Sequence, residues 1–158
     1  MSVTTDIVQS WRQPRGVISR HLARGRSEPF AFSLLVAFLV LAFIAQWPRL
    51  SRQTVLTPEE PLVPLLVATG LALLATIPLF YALAAGSHLV ARAIGGKGGW
   101  YGARLALFAA LLAVAPLMLL QGLVAGMIGP GPGALVLGGL VLAGFGWIWV
   151  QMLIEVAR

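Results

Sequence analysis

Side chains able to do chemistry are few in this sequence, and they are scattered. His88 is the one titratable candidate beside a long apolar run, and it follows Ala84 by four residues, the AxxxH spacing with which light-harvesting polypeptides hold a tetrapyrrole. Neutral imidazole is a common metal ligand, but a lone histidine between Ser87 and Arg92 is more often a hydrogen-bonding group at a membrane interface, and that reading takes precedence. His21 stands in a basic segment and carries less weight still. No second histidine adjoins a carboxylate pair, and the HExxH, P-loop and GxSxG patterns are missing. No catalytic residue and no enzymatic activity are therefore expected. Cysteine is absent, which excludes disulfides, thiolate metal sites and thiol catalysis. Neither a metal nor a cofactor is expected.

The basic residues offer a second kind of chemistry. Arg92, Lys97 and Arg104 cluster in sequence around the interfacial aromatics Trp100 and Tyr101, a set suited to a lipid phosphate. Plain flanking of apolar helices by positive charge explains the same residues more simply. The net charge of +6 would suit nucleic acid, but the cations sit between apolar runs, so no nucleic-acid partner is expected. Near the N-terminus Ile7, Trp11, Ile18 and Leu22 share a narrow helical arc while Arg12, Arg20 and Arg24 point elsewhere, as in a helix lying on an anionic leaflet. Pro14 breaks the phase, so two short helices are expected. Residues 1–28 read as a basic interfacial segment that fixes the N-terminus in the cytoplasm, with docking of a cytoplasmic partner as the lesser alternative.

The elements that must carry these residues follow from hydropathy. With 59% hydrophobic against 10% charged residues and a mean hydropathy of +0.91, the chain lies outside the range of soluble domains. Its 158 residues suit one membrane domain, since each span uses about 20. The expected fold is an all-α, polytopic transmembrane bundle of four spans, near 29–48, 58–92, 103–127 and 134–156. Ser27 is the expected N-cap of the first, and Trp47 and Pro48 its stop. Thr57-Pro58-Glu59-Glu60 has the form of a capping box that would open the second. Pro78 and Pro116 predict kinks in the second and third spans. The run GGKGGWYG from Gly95 to Gly102 predicts a tight loop at the headgroup level, and GPGPG from Gly129 to Gly133 divides the last two spans.

With four spans, one side receives Arg12, Arg15, Arg20, Arg24, Arg26, Arg92, Lys97, Arg104 and Arg158, and the other only Arg49 and Arg52. The positive-inside bias then places both termini in the cytoplasm. No acidic or basic side chain lies deep in any run, which argues against ion coupling. The uncharged polar groups within the runs are Gln46, Thr69, Thr76, Tyr81, Gln121 and Gln151. Gly122 and Gly126 form GxxxG, while Gly139, Ala143 and Gly146 share a face of the fourth span. Packing within the chain outweighs a dimer motif as the reading of both.

From Ser87 to Gly126 the sequence SHLVARAIGGKGGWYGARLALFAALLAVAPLMLLQGLVAG resembles bacterial members of the YIP family, named for the Ypt/Rab-interacting proteins. There a span is followed by a glycine-lysine-glycine loop and a helix with a central proline, matched by Gly95 to Gly98 and by Pro116. The family usually has five spans, so this chain is similar to a shortened form. The resemblance implies a non-enzymatic scaffold or adaptor in the bacterial cytoplasmic (inner) membrane, partnered by lipid and by other membrane proteins or itself. Two alternatives stand beside it: an accessory or assembly subunit of an energy-transducing complex, touching quinone or pigment, and a small transport component for an apolar solute.

Overall fold

The computed structural model describes residues 3–158, among which seven helices and no strand are found. Four stretches are long and apolar enough to cross a bilayer, the pattern of a multi-pass membrane protein. They are α3 (Glu28–Leu56), the broken pair α4 (Leu62–Ala75) and α5 (Ile77–Ala93), α6 (Trp100–Met127) and α7 (Pro132–Ala157). Two short helices precede them, α1 (Val3–Arg12) and α2 (Pro14–Ala23), parted at Gln13.

The central pair is α3 and α6, with α7 packed on α6, α4 on α3, and α5 against α6. Lipid gives apolar helices no reason to associate, so close approach of small residues must supply it. The first half of α6 meets this need with Ala103, Ala106, Ala110, Ala113 and Ala115, all buried. Further along, Gly122 lies on the Ala45 carbonyl and Gly126 on Pro48, so that any Cβ at either position would overlap backbone of α3. The GxxxG motif is thus consumed inside the chain.

The helix ends show which local rules prevail. Ser27 caps α3 as expected, its Oγ accepting from the Phe30 N–H at 3.4 Å. Pro48 does not stop the helix, which runs on to Leu56. Pro48 deletes a single backbone hydrogen bond, to the Ile44 carbonyl, and the turns on either side carry α3 through it. The capping box does not form: Thr57 to Glu60 make a turn, with the Glu60 N–H on the Thr57 carbonyl at 3.0 Å, and α4 begins at Leu62. Pro61 explains this, because it disfavours helical backbone at the residue before it.

Pro78 has the larger effect of the two central prolines. The helix breaks at Thr76, whose N–H and Oγ both return to the Leu73 carbonyl, whereas α6 passes Pro116 as one continuous helix. Trp100 and Tyr101 belong to the first turn of α6 and not to the loop before it. At the start of that loop Gly95 takes a φ of 91°, the left-handed conformation that closes helices.

Candidate functional site

Most polar side chains gather at the end of the bundle that carries both termini, and α1 with α2 is built into it. Trp11 lies on Gly144 of α7, where a Cβ would meet the indole, and its Nε1 donates to the Ala113 carbonyl of α6 at 2.9 Å. Arg15 Nε donates to Gln151 Oε1 at 2.8 Å. Ala113 stands thirteen residues, about 20 Å, along α6 from Trp100. The α1–α2 corner therefore dips into the bundle and does not merely rest on its end.

A half-buried ion pair and a buried histidine line the inner side of this corner. Asp6 accepts from Arg20 at 3.3 Å and faces His21 Nε2 at 3.6 Å. His21 is 4% exposed and packs its ring 5.2 Å from Phe30, over which Arg24 also lies. Burial lowers the His21 pKa below the usual value; Asp6 opposes the shift, and Arg24 and Arg20 reinforce it. Its Nδ1 is enclosed and has no partner. Asp6, Ser10, His21 and Arg24 share a cavity of about 50 Å³ with Leu34 and Ala109, room for one or two water molecules. The outer side of the corner leaves Arg12, Arg24 and Arg26 exposed.

Arg104, expected among the headgroup residues, is committed elsewhere. Its guanidinium pairs with Glu28 at the start of α3, at 2.5 Å, and lies 6.0 Å over the Tyr81 ring. This pair ties α3, α5 and α6 together. Arg92 and Lys97 remain exposed on the last turn of α5 and the following loop, where the Lys97 N–H is held by the Ala157 carbonyl at 2.8 Å.

His88 is buried at 4% exposure, with the Trp100 indole 4.2 Å from its ring. Its Nε2 is fully enclosed and bonds to no protein atom. Among the described residues no three His, Asp or Glu side chains gather as metal ligands.

On the outside of the bundle the small residues of α7 stay open. Added Cβ atoms at Gly139 and Gly146 would meet nothing, and Ala143 is exposed. The span formed by α4 and α5 is similarly free, with none of its most apolar window buried inside the chain. Between α4 and α3 runs a lateral cleft of about 540 Å³ whose walls, from Phe32 to Phe43 and from Leu66 to Ile77, are apolar throughout. Comparison with protein-family models, with curated proteins and with solved structures finds no match to this chain.

Sequence reasoning missed the Glu28–Arg104 and Asp6–His21 pairs and the seat of Trp11. An acidic residue in the first turn of a helix, as Glu28 is, has a sufficient local reason to be there, and nothing in the spacing points to Arg104. The signal for Trp11 was present in its place on the apolar arc, but nothing in the spacing names Gly144 as its partner.

Proposed function

We propose that this chain is a non-enzymatic scaffold or adaptor of the bacterial cytoplasmic membrane, akin to a shortened YIP-family protein, with both termini in the cytoplasm. The observation that carries the reading is the contrast between its two small-residue faces. Gly122 and Gly126 are used up against α3, whereas Gly139, Ala143 and Gly146 line an open face of α7. A face that lets backbones approach closely is of use in lipid only to another helix, which here belongs to a second membrane protein or a second copy of this chain. The exposed Arg12, Arg24 and Arg26 beside the embedded corner favour contact with an anionic leaflet, in keeping with the charge bias that places this end inside.

Mild-detergent extraction, native-gel separation and mass spectrometry test this reading. Wild type should migrate in an assembly that the Gly139→Leu/Ala143→Leu variant loses while keeping its own thermal stability. An assembly unaltered by that variant would sink the role of the face. Fixed stoichiometry with one large respiratory or photosynthetic complex would favour the accessory-subunit alternative.

A second reading, movement of an apolar solute, is favoured by the cleft between α3 and α4. Flux of such a solute into proteoliposomes above that of empty vesicles would support it, and equal flux would remove it.

A further inference from the structure

At the end of the bundle opposite the termini, α3 and α6 part just enough to leave a cleft of about 160 Å³, lined by Ala45, Gln46, Arg49, Met118, Gln121 and Gly122. Its polar side chains are one guanidinium and two carboxamides, and no carboxylate lines it. Neither Gln46 nor Arg49 has a hydrogen-bond or ion-pair partner among the described residues. Gln121 turns its Nε2 toward α7, 3.4 Å from the Ala134 carbonyl and against Gly138.

The state of Arg49 stands out beside its neighbour. Arg52, one turn further along α3, donates Nη1 to the carbonyls of Gly126 and Met127 and so closes the end of α6. Acidic residues are close in sequence, yet Glu60 is taken by Gln53 at 2.5 Å and Arg49 pairs with neither Glu59 nor Glu60. A cation on this side also works against the charge bias that orients the chain. Arg49 follows Glu28 by twenty-one residues, about 30 Å along α3, the thickness of the hydrocarbon layer. With Glu28 at one boundary, Arg49 stands at the other, two residues beyond the exposed Trp47.

We infer that this cleft binds the phosphate group of a phospholipid in the leaflet opposite the termini. Arg49 supplies paired charge-assisted N–H donors to two phosphate oxygens, and the Gln46 carboxamide supplies a further donor from α3. The site is separate from the α7 face, and the inference does not rest on the scaffold reading.

Native mass spectrometry of the delipidated protein in mild detergent tests it, with phosphatidylglycerol, diacylglycerol and inorganic phosphate as probes. Wild type should retain phosphatidylglycerol and not diacylglycerol, and Arg49→Gln should weaken retention about tenfold to a hundredfold. Arg158→Gln, at the other end, should leave it unchanged. Displacement of the lipid by inorganic phosphate at millimolar concentration would reassign the site to a soluble phosphate and overturn the lipid. Equal retention of diacylglycerol, or equal weakening by Arg49→Gln and Arg158→Gln, would overturn the site itself. Should Arg49→Gln fail to fold, Gln46→Leu decides: it removes a donor from the same cleft and should weaken retention, and unchanged retention would refute the inference.

Discussion

Individual side chains here are decided by what lies within a few ångströms of them. Gly122→Ala should cost about 1–3 kcal/mol, because its Cβ must displace the Ala45 carbonyl, while Gly139→Ala should cost nothing; thermal unfolding in detergent separates the two. Loss of the Arg104 pair by Glu28→Gln should cost about 1–2 kcal/mol by the same measurement, intermediate between exposed and buried ion pairs. The sequence revealed both glycine motifs but could not say which was occupied, since identical spacing serves a filled and an empty face. His21 gives a pH dependence whose sign follows from burial. Its folded pKa lies below the ordinary histidine value of 6.5, so the unfolded chain binds protons first. The stability it confers is whole above about pH 6.5 and is lost as pH falls through the lowered value. Amide protection factors in α1 and α2, corrected for the intrinsic pH dependence of exchange, should therefore fall at pH 5 relative to pH 7.5, and His21→Gln should flatten that difference.

Among the elements, those with a long apolar run were legible, because a stretch near 20 residues has little alternative to a membrane helix. Their ends were less so. The stop assigned to Pro48 and the start assigned to Thr57 each weighed one local signal, and each yielded: α3 runs through Pro48 with the loss of one hydrogen bond, and a second proline at position 61 delays the start of α4. The α1–α2 corner shows the same limit from the other direction. Its amphipathic arc and its break at Pro14 were visible, whereas its depth depends on Ala113, Gly144 and Gln151, more than ninety residues away. Trp11→Ala removes the hydrogen bond and much of the packing that seat it. The loss should be about 2 kcal/mol of docking, near a thirtyfold rise in amide exchange confined to α1 and α2.

Taken whole, the molecule is a two-helix spine with peripheral spans, and most of its uncommitted surface faces lipid. The absence of native cysteine makes its topology directly testable. In intact cells Glu59→Cys should react with a membrane-impermeant maleimide, and Lys97→Cys should react only after permeabilisation; the reverse pattern would invert the proposed orientation. The seating of α1 and α2 has a further consequence, for the order in which the chain is made. Ribosomes release roughly 5–20 residues per second, so the first two helices emerge many seconds before α7 can offer Gly144 and Gln151. Through that interval the amphipathic segment has only part of its seat, on α3 and then on the Ala113 carbonyl of α6, while α3 and each later span pass into lipid on their own hydropathy. Final seating of the corner therefore waits for α7, and a chain arrested before α7 would carry its N-terminal helices held by fewer contacts and more open to protease.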